Sequence, residues 1–185
     1  MTRLGVSIAN RFYRTLAAVF FSVPVLASDA TERTARIETK ALSALIVDNK
    51  AYGSEHRAGY NGVAELTLKV PEAKNLFVPR WAGLNFEHIF SGDAESFSWN
   101  IFEPRRAPMQ LLRRTPNCVE LQQERTENWP LRSRLTYEAK GDAIDFAYFG
   151  TPLADVWKKH GYIGVFFASY IDAPSAEFVG ELRFW

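Results

Sequence analysis

The sequence is short of cysteine, of histidine and of net charge, and each shortage excludes a class of protein. Cys118 is the only cysteine among 185 residues, so no disulfide can form within the chain and the fold must rely on its core. Because Cys118 lies in a strand-like run, we interpret it as a small buried hydrophobe. The formal net charge of +1 predicts neither a nucleic-acid-binding arm nor an acidic tail.

Histidine occurs three times, at positions far apart in sequence and without H-x-H or H-E-x-x-H spacing. This pattern predicts no metal site. Gly-x-Ser-x-Gly, P-loop and dinucleotide-binding motifs are also absent, so we expect no cofactor. No motif in the chain defines a reaction.

The first 27 residues differ from the rest in composition and predict a secretory signal peptide. They contain three arginines and no acidic residue, and an uncharged, mostly apolar run occupies 15–26. Ala27 at −1 and Val25 at −3 fit a cleavage site, and cleavage after Ala30 is the alternative. The other interpretation is a membrane span, but a span needs about 20 apolar residues, and this shorter run contains Pro24.

Cleavage would change the charge and the expected partners. The leader holds three of the 22 basic residues and none of the 21 acidic ones, so the mature chain would carry a net charge of −2. We therefore expect an exported protein, periplasmic or extracellular, with no nucleic-acid partner and no membrane contact after cleavage. Its oligomeric state is left open.

The mature chain divides into a polar stretch and a folded domain. Residues 28–36 predict a loose terminus, and residues 37–185 predict one domain. The chain ends on apolar residues in the middle of a strand pattern. Two interpretations follow: a domain truncated at its C-terminus, or a last strand that closes a sheet edge.

Strict alternation of apolar and polar residues dominates the domain. In 131–139, Leu135 and Tyr137 fall on one side with other apolar or small residues, while Arg132 and Arg134 fall on the other. Period two is the pattern of a half-buried strand. Short strands at spacings of about ten residues predict an all-β antiparallel sandwich.

Two local predictions qualify this scheme. Phe97, Trp99 and Ile101 alternate and predict a strand that ends before Pro104, because proline cannot donate to a sheet ladder. One short helical turn is predicted near 153–159, between two strands of the second half of the chain.

The first candidate for chemistry is the strand-like segment 83–90. Glu87 and His88 are an acid and a base next to each other, but neighbours in a regular strand point to opposite faces. We therefore expect Asn85 to share a face with Glu87, as a ligand-binding side chain beside a catalytic one. His88 would share the face of Leu84 and Phe86. The structural alternatives are a core or rim histidine and a solvated glutamate.

The second candidate is the basic face of the strand at 131–139. Arg132 and Arg134 lie two residues apart, about 7 Å along a strand, with Trp129 just before them. Two guanidinium groups at this spacing suit a carboxylate or a sugar sulfate. The alternative is an exposed face on which these arginines pair with neighbouring glutamates.

The third candidate is His160. It precedes a glycine and a buried strand, and loops carry functional groups more often than regular elements do. We predict His160 as the acid/base group of any reaction, with Glu87 and His88 as the other catalytic candidates.

Four runs of the chain carry a family resemblance: Tyr60–Leu66, Gly83–His88, Trp129–Tyr137 and His160–Tyr170. They resemble an uncharacterised family of secreted bacterial β-sandwich proteins. The strand order is similar to part of the β-supersandwich of the galactose mutarotase type, of which this chain would be an incomplete version. That second resemblance implies a histidine and a carboxylate across a concave sheet, roles for which Glu87, His88 and His160 are available.

Two functions remain open at this stage. The first is carbohydrate binding or processing, since the tryptophans at 81, 99, 129 and 157 provide surfaces for sugar rings. The second is a non-catalytic domain that contacts a protein partner through a sheet face or edge. Convergence of the candidate side chains in one concave pocket would favour the first. Scatter over the surface would favour the second.

Overall fold

A computed structural model describes residues 32–72, 74–91, 99–155 and 162–172, without the side chain of Trp99. Antiparallel strands dominate these residues, so the predicted all-β, sandwich-like fold is confirmed. The strands are β1 (Thr34–Glu38), β2 (Leu42–Val47), β3 (Gly62–Leu68), β4 (Asn85–Phe90), β5 (Gln110–Thr115), β6 (Cys118–Gln123), β7 (Leu131–Lys140), β8 (Ala143–Pro152) and β9 (Gly164–Ala168).

The described strands form three sheets, which build two layers. The sheets have the orders β1-β2-β3, β4-β9 and β5-β6-β7-β8. Val63 and Leu84 join the first two edge to edge, because the N–H of each donates to the carbonyl of the other at 3.1 and 3.0 Å. Gly83 permits this approach, since a Cβ there would lie 1.8 Å from the Val63 carbonyl oxygen. The joined sheets form one layer and β5–β8 the other.

The core lies between these layers and follows the predicted alternation of β7. Leu135 and Tyr137 are fully buried, whereas Arg132 and Arg134 are exposed. β1 packs across β5, β6 and β7. At the other end of the layer, the rings of Phe86 and Tyr148 lie 5.4 Å apart. Burial of one face of each strand is what holds the layers together.

The helical residues lie elsewhere than predicted. Trp99–Phe102 form a 3₁₀ turn that continues into the helix α1 (Glu103–Arg106), so the strand predicted over 97–101 is wrong from Trp99 onward. Pro104 lies in the first turn of α1, where its fixed φ suits a helix and its missing N–H needs no partner. The predicted turn near 153–159 is not helical at 153–155, and the rest of it lies outside the described residues.

The ordered domain begins earlier than predicted. β1 starts at Thr34, inside the stretch 28–36 that was expected to be loose. The predicted leader and the apolar end of the chain lie outside the described residues, so export and truncation stay predictions. Cys118 is half-buried in β6, and burial raises the pKa of its thiol, which makes it a poor nucleophile.

Candidate functional site

A β-bulge in β4 brings two predicted site residues together. Phe86 pairs with Phe167 and His88 pairs with Phe166, so Glu87 has no partner in the register. A bulge places two residues opposite one, which ends the strict alternation of faces. Glu87 and His88 are therefore neighbours in space, with 3.5 Å between Glu87 Oε2 and His88 Nε2. The expectation that they point apart, with His88 on the face of Phe86, is wrong.

Arg105 of α1 ties this bulge to the preceding loop. Its guanidinium lies 3.3 Å from Glu87 Oε1 and donates to the carbonyl of Ala58 at 2.8 Å. The same group lies over the Tyr60 ring, 4.5 Å from its centroid. Gly59 lets the loop approach, since it has a φ of 83° and a Cβ there would lie 2.6 Å from the Arg105 carbonyl oxygen. Arg105 thus joins three segments of the chain.

His88 lies between two aromatic rings. Its ring centroid is 4.3 Å from that of Phe102 and 5.0 Å from that of Phe166. Nε2 is buried and has no hydrogen-bond partner. Burial lowers the pKa of His88, and the positive charge of Arg105 adds to this effect while Glu87 opposes it. The imidazole is therefore neutral at pH 7, and its Nε2 is closed to a substrate.

Asn85 has a structural role. It is fully buried, and its Oδ1 accepts a hydrogen bond from the backbone N–H of Asn61 at 3.1 Å. Asn61 in turn donates through Nδ2 to the Phe86 carbonyl at 2.9 Å, and its Oδ1 accepts from the Phe86 N–H at 3.2 Å. The two asparagines fasten the loop before β3 onto β4, and neither reaches the surface.

The most exposed aromatic cluster that the described residues show consists of Trp81, Tyr170 and His56, which we call the aromatic surface. Trp81 and Tyr170 are each 42% exposed, and their ring centroids lie 4.9 Å apart at 43°. His56 meets the edge of Trp81 at 4.5 Å. These three residues come from three separate loops of the chain.

Backbone hydrogen bonds hold Trp81 and Tyr170 in place. The N–H of Trp81 donates to the Val78 carbonyl at 3.0 Å, which closes a turn with Pro79 at its second position, where proline is favoured. Val78 N–H donates to the Tyr170 carbonyl, and Tyr170 N–H donates to the Ala82 carbonyl, both at 3.0 Å. Tyr170 is thereby fixed to both ends of the turn that presents Trp81.

A polar cavity of about 420 Å³ adjoins the aromatic surface, which shares His56 with it. We call it the loop cavity. Glu55, Arg57 and Arg80 also line it. Arg57 lies over the Tyr52 ring, 3.8 Å from its centroid. Within the described part of the chain, neither Glu55 nor Arg80 has an ion-pair partner. The cavity therefore offers guanidinium donors and one carboxylate acceptor, and within the described residues neither Arg80 nor Glu55 is satisfied by an ion pair.

Tyr60 connects the aromatic surface to the bulge. Its ring lies 6.0 Å from that of His56 and contacts Arg105 on the other side. Tyr60 itself is buried, and burial raises the pKa of its hydroxyl. Glu87, His88 and Arg105, all half-buried, thus support a surface at which Trp81 is exposed.

The predicted arginine pair lies on the outer face of the other layer, in a separate groove of about 390 Å³, here the arginine groove. Arg132 Nε donates to Glu124 Oε2 at 2.8 Å, as the alternative interpretation expected. The Arg134 guanidinium lies 4.6 Å from the centroid of the Phe149 ring. Gln122 and Thr151 line the groove as well.

The predicted site residues do not converge in one pocket. Glu87 and His88 lie together, and Arg132 and Arg134 lie together in the arginine groove, but Asn85 is internal. Trp129 is buried in the core, where its Nε1 donates to the Asn100 carbonyl at 2.8 Å, so it lines neither site. His160 and Trp157 lie outside the described residues.

The sequence interpretation missed most of the aromatic surface. Trp81 was among the candidate tryptophans, but His56, Arg57, Arg80 and Tyr170 were not considered. Pro79 before Arg80 and Trp81 was the available signal, because a Val-Pro-Arg-Trp turn presents its last residues at the surface.

Two further properties concern only the described residues. They contain no group of three or more metal-ligating side chains, and none of their helices is both long enough and apolar enough to span a bilayer. No family model, no curated protein and no solved structure matches the chain.

Proposed function

We propose that the protein is exported and binds carbohydrate at the aromatic surface. The observation that carries the proposal is the pair formed by Trp81 and Tyr170, exposed side by side next to the polar loop cavity. Aromatic rings pack against the apolar C–H face of a sugar ring, while charged and polar groups bond its hydroxyls. Both kinds of contact are available here within one short stretch of surface.

The loop cavity supplies the polar half of such a site. Arg57 and Arg80 provide guanidinium donors, Glu55 provides an acceptor, and His56 connects the cavity to Trp81. Its volume of about 420 Å³ lies within the range of small-ligand sites, about 300–1,000 Å³. Because two arginines face one glutamate, we expect sugars that carry a carboxylate to bind more tightly than neutral ones.

The bulge favours binding over catalysis. A general acid or base must come within hydrogen-bond reach of the reacting group. His88 Nε2 is buried, and Glu87 is held by Arg105. We therefore assign these residues to positioning of the loops beneath the aromatic surface. Export rests on the composition of the leader alone.

A glycan array on the purified protein, followed by calorimetric titration of each hit, tests the proposal. Trp81→Ala should weaken binding by about tenfold or more, the effect of losing one stacked ring worth about 1.4 kcal/mol. Phe149→Ala is the matched control, because Phe149 is 50% exposed but lies in the arginine groove.

Two outcomes would overturn the proposal. One is the absence of binding to any glycan at millimolar concentration. The other is loss of binding in Phe149→Ala or Arg134→Ala with full retention in Trp81→Ala, which would move the site to the arginine groove.

A further inference from the structure

Within the described residues, strand β8 forms a sheet edge that lacks the usual protection. Its ten residues pair with β7 without a register shift, and no described strand pairs with its other side. Exposed edges are commonly blunted by shortness, bulges, lysine or internal proline. The opposite edge of the same sheet, β5, is shorter, contains a bulge and carries Arg113 and Arg114. β8 has one proline, at its last position, and one charged residue, Asp145.

We propose that β8 pairs with β8 of a second copy of this chain, antiparallel and centred on Ala147. The two four-stranded sheets would then become one continuous sheet across a twofold axis. Phe146 and Phe149, which are 38% and 50% exposed, lie on β8 and would be covered in part. The proposed interface lies on the layer formed by β5–β8, whereas the aromatic surface belongs to the opposite layer. The proposal is therefore independent of carbohydrate binding.

The sequence of β8 is compatible with itself in this register. Ala147, at the middle of the strand, would lie opposite Ala147 of the partner subunit. Phe146 would lie opposite the partner's Tyr148, which makes an aromatic pair on the face that points to the core. Asp145 would lie opposite the partner's Phe149, so no two like charges meet. The aromatic pair is of the cross-strand kind that stabilises a sheet.

Charge complementarity supports the same register. Within the described residues no ion pair includes Arg134, and its guanidinium lies over the Phe149 ring of β8, 4.6 Å from the ring centroid. The partner's Asp145 would stand beside Phe149, about 10 Å from the Arg134 Cα across two strand spacings, which the two side chains can span. The existing contact of Asp145 with Lys140, 3.4 Å between exposed groups, is a weak competitor.

Cysteine cross-linking tests the register. In a Cys118→Ala background, Ala147→Cys should form a disulfide-linked dimer on a non-reducing gel, because the two positions face each other. Ala143→Cys alone is the matched control and should stay monomeric, since the two copies of this position would be about 26 Å apart. Mixing Ala143→Cys with Thr151→Cys should restore the cross-link.

Sedimentation velocity from about 1 to 200 µM, where small interfaces associate, tests the dimer itself. Arg134→Asp should reduce the dimer fraction, and the exchange Arg134→Asp with Asp145→Arg should restore it. A protein that is monomeric over the whole range, or one that cross-links equally well through Ala143→Cys alone, would overturn the proposal. Neither result would bear on glycan binding.

Discussion

At the scale of single residues, Asn61, just before β3, and Asn85, the first residue of β4, show how buried amides can take the place of sheet hydrogen bonds. Asn61 exchanges hydrogen bonds with the backbone of Phe86, and Asn85 accepts from the backbone of Asn61. Each of these groups is shielded from water, so removing one leaves its partner unsatisfied.

We expect Asn61→Ala to reduce the free energy of unfolding by about 1–3 kcal/mol, because two backbone groups of Phe86 would lose their partner without regaining water. Urea denaturation measures the change. Asn117→Ala is the control, since Asn117 is exposed in the turn between β5 and β6. Equal stability of the two variants would contradict the structural role given to Asn61.

His88 should make the stability of the protein depend on pH. Burial lowers its pKa below the ordinary value of 6.5, so the unfolded chain binds a proton at this position more readily than the folded one. Stability should therefore fall as the pH drops below about 6.5, the ordinary pKa of histidine. The fall should continue until the pH reaches the lower pKa that His88 has in the folded protein.

Denaturation midpoints should be measured between pH 7.5 and the acid range for the native protein and for His88→Asn. We expect the midpoint to depend less on pH in the variant, because the variant lacks this titrating group. NMR titration of the imidazole should give a lower pKa for His88 than for an unperturbed histidine. His56→Asn, the same substitution at an exposed histidine, is the control for the effect of the substitution itself. An imidazole that titrates above the ordinary value would contradict the burial described for His88.

At the scale of elements, the sequence predicts regular strands well and irregular ones poorly. The alternation over 131–139 identified β7 and its two faces, because a strand with one buried face must repeat at period two. The bulge in β4 leaves no mark in such a pattern, since an extra residue changes the phase without changing composition. Glu87 and His88 were for that reason assigned to opposite faces.

The prediction for the segment from Trp99 to Arg106 is wrong for a different reason. Trp99 and Ile101 match the alternation of a strand by chance, since both lie in a 3₁₀ turn, and Pro104 was interpreted as the end of that strand. Proline fits the first turn of a helix equally well, and the contacts of this helix with β4 decide between the two. Such tertiary contacts are not visible in a local pattern.

The junction between β3 and β4 allows an element-scale prediction. Gly83→Ala should force Val63 and Leu84 apart, because the new methyl group would overlap the Val63 carbonyl. The two sheets of that layer would lose their joint, and the melting temperature should fall markedly. Gly53→Ala provides the control, since a Cβ at Gly53 meets nothing within 4 Å. A variant that melts like the native protein would contradict the junction.

At the scale of the whole molecule, the sequence predicted the class of fold but not the composition of the site. The aromatic surface combines residues near 56, 81 and 170, which meet only because β3, β4 and β9 are neighbours. Strand order of this kind depends on long-range pairing, which a single sequence does not reveal. The arginine groove was predictable because Arg132 and Arg134 belong to one strand.

The hydrogen bonds that fix Tyr170 to both ends of the turn at 78–81 have a consequence for the thermodynamics of recognition. Trp81 and Tyr170 are already oriented before a ligand arrives, so association need not be accompanied by loss of loop freedom. Binding should then proceed with little structural rearrangement, and the chemical-shift changes on titration should stay confined to the neighbourhood of the two rings. The proposed carbohydrate site, preorganised in this way, would achieve selectivity through shape, because it could not adjust to a sugar whose apolar face does not match it.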